Sequence, residues 1–312
     1  MEINLIKATQ GLACGFLDVF MWLVTKMGEE IMFLLVFVGI YLLYNKLFAV
    51  KYSFYYLISV AANAFVKMVF QRPRPYMVSS EVANRLPATS EFSFPSGHTQ
   101  AYFVQSTTSM IEINKKSRKK SLKISFLVAF IILGLLMMVS RMYWGQHYIS
   151  DTVVAAIFGI IIPFILDWLL KICPKKLKEI FTLDLIFKLI LVGSIIGFFA
   201  CLGLELAYDF WSTKIYMFLG VFTSFSLGYL LDKKYIKYEP KANWKKTILK
   251  ALMLYVVLVG LYLILDLILP ISGFVLYLVY LFLGAIGFIV LPIVFNKIFN
   301  KEKMVEDGQD SN

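Results

Sequence analysis

The chain has 312 residues, is 60% hydrophobic and has a mean hydropathy of +0.75. A soluble domain averages roughly 45–50% apolar residues, so the composition excludes an ordinary soluble domain, and several apolar runs reach the ~17–25 residues a helix needs to cross a bilayer. The net charge of +11, from 31 basic and 20 acidic residues, would favour nucleic acid as a partner of a soluble protein; here the basic residues sit in short loops between apolar runs, and membrane orientation accounts for them instead.

Residues 3–27 are amphipathic: Leu12, Phe16, Val19, Phe20, Leu23 and Met27 recur at helical spacing, interrupted by Asp18 and Lys26. Three placements stay open for this stretch, namely in the interface, re-entrant, or a poor span. Helices are predicted over 31–45 and 52–70. The polar stretch 71–95 carries Pro73, Pro75, Pro87 and Pro95 and cannot be one continuous helix. Further helices are predicted over 97–114, 124–140 and 148–170, then over about 182–203, 213–231, 248–269 and 272–295. Cys14, Cys173 and Cys201 are far apart and show neither metal spacing nor a disulfide framework. No cleavable signal pattern precedes the early helices.

Twenty-two of the 31 basic residues fall in five segments: Lys46 with Lys51, then 114–123, 171–178, 232–250 and 297–303. If the predicted helices alternate, all five lie on one side, which the positive-inside rule makes cytoplasmic. The opposite side then carries 71–95, the turn at 141–147, and the loops near 204–212 and 270–271. The fold expected is an all-α polytopic transmembrane bundle. A core spans 1–178, with 1–28 as its amphipathic segment. Additional C-terminal transmembrane helices span 179–303, and 304–312 is a polar tail.

The chain has only two histidines, His98 and His147, each at the start of an apolar helix on the non-cytoplasmic side. Three blocks share that side. The first runs from Lys67 to Arg74-Pro75 and reads K-x6-R-P. The second is Pro95-Ser96-Gly97-His98. The third runs from Ser140-Arg141 through His147 to Asp151 and reads S-R-x5-H-x3-D.

These residue types in this order suit phosphoryl transfer, which needs positive charge around the phosphate oxygens, an in-line nucleophile and a proton for the leaving oxygen. Lys67, Arg74 and Arg141 supply charge, the two arginines as planar forks and Lys67 as a point charge. Ser96 and Gly97 stand where a helix begins, a place that favours anions and close approach. His147 and Asp151, four apart, share a face if they lie on one helix; a carboxylate on Nδ1–H would orient the ring and leave Nε2 to attack phosphorus.

Each residue has a plainer reading. Lys67 and Arg141 suit interfacial snorkelling, Asp151 suits a first-turn helix charge, and Ser140 suits a cap. Arg72-Pro73 imitates Arg74-Pro75, but the six-residue spacing from Lys67 selects Arg74 and leaves Arg72 a peripheral contact. Residues 79–92, with Arg85, read as a lid or surface loop. Lys188, Glu205, Asp209 and Asp266 stand out among the C-terminal helices, and Asp266 is a candidate partner for Lys188.

Taken together, the three blocks resemble the signature motifs of the type-2 phosphatidic acid phosphatase superfamily, over about residues 30–170. The resemblance implies a six-helix core, with about four extra C-terminal helices here lying outside it. It implies a lipid phosphatase working through a phosphohistidine: His147 as nucleophile, His98 as acid/base, Asp151 behind His147, and Lys67, Arg74, Ser96, Gly97 and Arg141 around the phosphate. It requires no metal or cofactor.

The expected partners are the membrane and a phospholipid or prenyl (di)phosphate. Candidates are undecaprenyl diphosphate, phosphatidate, phosphatidylglycerophosphate and sphingoid-base phosphates, and the oligomeric state is open. The expected location is a bacterial cytoplasmic membrane with the site facing out. Two alternatives compete: a phosphotransferase passing phosphate to a lipid or glycan, and a lipid transporter or binding scaffold, which the helices beyond 180 motivate.

Overall fold

The structure is a computed structural model that describes residues 1–87, 89, 91–175, 179, 182–208, 213–240, 243–268 and 272–299. Asp209, the side chain of Asp266 and the tail 304–312 lie outside the described residues. Among the described residues every regular element is helical, in the order α1 (Glu2–Gly11), α2 (Gly15–Lys26), α3 (Glu30–Leu43), α4 (Lys46–Phe70), α5 (Pro75–Val78), α6 (Gly97–Lys116), α7 (Lys120–Tyr143), α8 (Ile149–Ile172), α9 (Leu183–Tyr208), α10 (Thr213–Leu231), α11 (Trp244–Ile268), α12 (Gly273–Ala285) and α13 (Leu291–Phe299). Six helical stretches, beginning at Lys46, Lys120, Ile149, Leu183, Ile215 and Gly273, are long and apolar enough to cross a membrane. The chain is an integral membrane protein.

Two compact units divide the chain. The first comprises residues 1–37 and 48–172, the second 38–47 and 173–312. The first unit carries all three sequence blocks. Its helix α6 has 20 residues, about 30 Å at 1.5 Å each, yet it is too polar to count as an apolar span. Its polar side chains are spent on α4: Gln100 Nε2 donates to Ser59 O at 2.8 Å, Asn63 Nδ2 to Gln100 Oε1 at 2.8 Å, and Tyr52 Oη to Gln105 Oε1 at 2.8 Å. A helix wrapped by protein needs no apolar surface, provided each buried polar group finds a partner.

Residues 1–28 form two helices, α1 and α2. They have 10 and 12 residues, about 15 and 18 Å, too short for a ~30 Å hydrocarbon core. Both lie against the segment that carries the third block: Ile6 is buried with Val82, Met142 and Tyr148, and Met21 with Tyr143 and Trp144. The N-terminal segment therefore packs at the end of the unit that carries the third block.

At the other end, Asp167 gathers Lys51 (2.6 Å), Lys115 (2.6 Å) and Lys171 (3.1 Å). The first three basic segments thus meet at one carboxylate, as the alternation of helices required. The sequence reading passed over Asp167, because a lone acid near a helix end carries no signal of the three lysines it will meet.

In the second unit, Tyr41 stands edge-on to Phe225 (5.6 Å) and Phe288 (5.4 Å), and Phe187 stacks on Tyr229 at 3.9 Å. Buried Asp232 pairs with Lys46 and accepts from Tyr41 Oη and the Tyr238 amide. Glu205 accepts from Tyr216 Oη at 2.6 Å.

Candidate active site

Helix ends build the site. Lys67 is in the last turn of α4, and the chain reverses through Gln71 at φ 44° to deliver Arg72 and Arg74. Ser96 caps α6, its Oγ accepting from Thr99 N at 3.4 Å. Arg141 sits in the last helical turn of α7, not in a turn as the sequence implied. Asp151 is in the first turn of α8. The backbone joins two blocks directly, since Ser96 N–H donates to Asp151 O at 3.2 Å. Ser96 is therefore a cap and a tie; its amide, expected to be free for an anion, is paired.

His147 is 2% exposed and precedes α8 rather than lying on it, so the one-face argument from a four-residue spacing fails. Its Nδ1 lies 2.8 Å from Ser93 O, and Asp151 Oδ2 is 3.6 Å away, beyond hydrogen-bond range. A carbonyl only accepts, so Nδ1 carries the proton and Nε2 the lone pair. The expectation that Asp151 binds Nδ1–H directly is corrected: Ser93 intervenes, with its carbonyl on the ring and its Oγ donating to Asp151 Oδ2 at 2.5 Å. Burial first, then the charges of Arg141, Arg74 and Lys67, push the imidazole pKa well below its usual value. The ring is thus held neutral, the form a nucleophile needs.

Asp151 is fully buried. Its Oδ2 accepts from Tyr148 N–H at 2.9 Å, the reach-back bond of a capping box. Its Oδ1 accepts from Arg72 Nη1 at 2.7 Å. Arg72 was set aside by the motif spacing as peripheral, yet it is the guanidinium that reaches this carboxylate. It also donates to Ser150 Oγ at 2.6 Å and to Glu2 Oε2 at 2.8 Å, and lies 3.8 Å over the Tyr148 ring. Glu2 Oε1 in turn accepts from Ser150 N–H at 3.0 Å.

The charges of the three expected cations reach the ring, and Arg74 lies against Nε2. Arg74 Nη1 is 3.5 Å from it, and that guanidinium also bonds Gln146 Oε1 (2.9 Å) and Glu91 O (2.8 Å). Lys67 Nζ pairs with Glu91 Oε2 at 2.8 Å. Arg141 is 3% exposed; its Nη1 donates to Thr25 Oγ1 at 2.5 Å, and its Nε is buried with no acceptor among the described residues.

His98 is half-buried in the first turn of α6. Gly28 lies against it so closely that a Cβ there would sit 2.6 Å from His98 O. Gly97 is not crowded: a Cβ would meet only Asn63 Oδ1, at 3.8 Å. Residues 79–87 fold down onto the third block, with Gln146 Nε2 donating to Asn84 Oδ1 at 2.7 Å and Arg85 pairing with Asp18 at 2.8 Å while lying 4.8 Å over Tyr143. Arg85 is a fastener of this loop.

Sequence reasoning missed Glu2, Thr25, Ser93 and Glu91. Ser93 alone had a signal, its place two residues before the Pro-Ser-Gly-His block. Glu2 and Thr25 reach the site only through packing of distant segments.

Residues 48–172 match the PAP2 superfamily, and residues 216–303 match the PAP2 superfamily phosphatase transmembrane extension. A curated relative, the undecaprenyl-diphosphatase BcrC of Bacillus subtilis (strain 168), is 31% identical over 103 residues, 33% of this chain. The chain spans about half the length of that relative, 48%. Among solved structures, LpxE of Aquifex aeolicus is similar at 22% identity over 53% of this chain and 93% of that one, with a TM-score of 0.45. The transmembrane PAP2-type phosphatidylglycerolphosphate phosphatase of Bacillus subtilis is similar at 18% identity over 56% and 86%, with a TM-score of 0.47.

Proposed function

We propose that this chain, which belongs to the PAP2 superfamily, is a membrane phosphatase that hydrolyses a lipid phosphate or diphosphate through a phosphohistidine on His147. One observation carries the reading: His147 is a buried, neutral imidazole with its proton fixed on Nδ1, under the combined charge of Arg141, Arg74 and Lys67. A neutral histidine enclosed by three cations suits attack on an anion and little else.

In the first step His147 Nε2 forms a bond to phosphorus as the bond to the lipid oxygen breaks, and His98 gives that oxygen its proton. In the second, water attacks phosphorus, His98 takes a proton from it, and the phosphorus–nitrogen bond breaks to release inorganic phosphate. Lys67, Arg74 and Arg141 neutralise the phosphate oxygens, and the unpaired Nε of Arg141 is a donor suited to one of them. Ser96 and Gly97 hold the positive end of α6 beside Asp151. As positive charge develops on the ring, Ser93 O and the buried Asp151 carboxylate stabilise it.

The active site faces away from the cytoplasm. The convergence of Lys51, Lys115 and Lys171 on Asp167 supports this, because it gathers basic segments at the end away from the histidines. The host membrane is a bacterial cytoplasmic membrane. The substrate class is a prenyl diphosphate or a glycerophospholipid phosphate; similarity to the undecaprenyl-diphosphatase BcrC favours the former.

The test is phosphate release by the purified protein in detergent, on a panel holding undecaprenyl diphosphate, phosphatidate and phosphatidylglycerophosphate. His147→Asn is expected to abolish turnover on whichever lipid the wild type prefers. Full turnover by that variant would rule the mechanism out.

A further inference from the structure

We propose that Arg72 and Glu2 are positioning residues for the nucleophile, which makes the N-terminal helix α1 a working part of the site. This rests on reading His147 as the nucleophile.

The bonds form a closed ring around the start of α8. Arg72 Nη1 serves Asp151 Oδ1 and Ser150 Oγ, Arg72 Nη2 serves Glu2 Oε2, and Glu2 Oε1 returns to the Ser150 amide. The guanidinium carbon lies 3.8 Å from the ring centroid of Tyr148, the neighbour of His147. Four contacts thus hold the guanidinium, and through it the Asp151 carboxylate that holds Ser93 Oγ and the Tyr148 amide. Asp151 is fully buried, and a buried carboxylate keeps its charge and place only with a cation and hydrogen bonds. A lysine cannot substitute, because one ammonium does not span Asp151 and Glu2 with a planar fork.

Packing delivers Glu2 to this ring. Ile6 is wholly buried among Val82, Met142 and Tyr148, and Gln10 exchanges two hydrogen bonds with Ala83. Helix α1 is therefore anchored at three levels, and its first residue caps α8. The Arg72 and Glu2 side chains are 30% and 32% exposed. A pair so exposed adds little to global stability, so a purely structural role predicts almost nothing on mutation of Glu2, whereas Arg72 also serves the buried Asp151 carboxylate and its removal lowers stability in either case. A positioning role predicts a loss in turnover, since misplacing a reacting group by about 1 Å can cost on the order of a hundred-fold.

The experiment uses the full chain in detergent with dioctanoyl phosphatidate as substrate and inorganic phosphate as product inhibitor. Arg72→Ala is expected to lower kcat by about a hundred-fold and Glu2→Gln by about ten-fold, with KM and phosphate inhibition within about two-fold of wild type, because Lys67, Arg74 and Arg141 are untouched. Arg72→Lys should recover little and Glu2→Asp should recover most of the loss. Wild-type kcat in Arg72→Ala overturns the proposal, as does a loss of phosphate affinity equal to the loss of kcat. If Arg72→Ala lowers the thermal midpoint by more than a few degrees, the Glu2 pair decides: Glu2→Gln at wild-type kcat overturns the proposal, and its rescue by Glu2→Asp supports it. His147→Asn runs in parallel. If it is inactive while Arg72→Ala is not, only the positioning role fails; if it retains full turnover, the nucleophile assignment itself fails.

Discussion

Ser93 O accepts the hydrogen bond of His147 Nδ1–H at 2.8 Å, while Asp151 Oδ2 stands 3.6 Å from the same nitrogen. The carboxylate acts on the ring through Ser93, whose hydroxyl it holds at 2.5 Å. Ser93→Ala keeps the carbonyl and deletes the bridge. A hydrogen bond to a charged group is worth about 1.5–3 kcal/mol, so the loss, expressed at the transition state, lowers kcat about ten- to a hundred-fold with KM unchanged. Steady-state kinetics in detergent check this; unaltered kcat would mean that Asp151 acts by another route.

Glu91 presents a carboxylate to Lys67 at 2.8 Å, and its side chain is 42% exposed. It competes with any phosphate for that ammonium. Glu91→Gln removes the competing charge and should lower KM for an anionic substrate a few-fold, with kcat nearly constant. The effect is small because an ion pair with one exposed partner contributes about 1 kcal/mol or less. A raised KM would instead make Glu91 part of substrate binding.

The contrast between Ser93 and Glu2 shows how far the sequence reaches. The motif residues were legible because phosphoryl transfer demands particular chemical types at fixed spacing, and the apolar runs were legible because the bilayer demands length. Helix α6 was found by length, though its buried glutamines make sense only once they bond α4. Glu2 and Arg72 were illegible for a physical reason. Their meeting depends on an amphipathic helix 70 residues away docking on Tyr148 and Met142, and no local period encodes a docking geometry. Spacing logic also misled directly: by selecting Arg74 it demoted Arg72, and by assuming a helix through His147 it replaced Ser93 with Asp151.

Gly145 adopts φ +72°, and a Cβ there would press on Ala83 O, the acceptor of Gln10 Nε2. Gly145→Ala therefore meets two penalties. The left-handed backbone costs roughly 1–2 kcal/mol for a residue with a Cβ, and the 79–86 loop must shift, loosening α1. Thermal unfolding in detergent should show a midpoint several degrees below wild type, together with lower kcat, since Gly145 stands two residues before His147. An unchanged midpoint would show that the loop accommodates the methyl freely.

The depressed pKa of His147 also fixes a pH dependence of stability. Burial and the three cations keep the folded-state imidazole neutral well below pH 6.5, whereas in the unfolded chain the same ring protonates near its ordinary value. Between those two values the unfolded state binds one more proton than the folded state, so stability falls as pH falls, by about 1.4 kcal/mol per pH unit for this one residue. Above about pH 7 both states are neutral at this site and the residue contributes no slope. His147→Gln cannot protonate and loses the dependence that His147 contributes. Denaturant unfolding in detergent at pH 7, 6 and 5 should therefore show the stability of wild type relative to His147→Gln declining by about 1–2 kcal/mol from pH 6.5 to 5 and staying level above pH 7. Parallel pH profiles for the two proteins would mean that the folded ring protonates as freely as the unfolded one. The charge of Lys67, Arg74 and Arg141 would then be screened from it, and the neutral nucleophile lost.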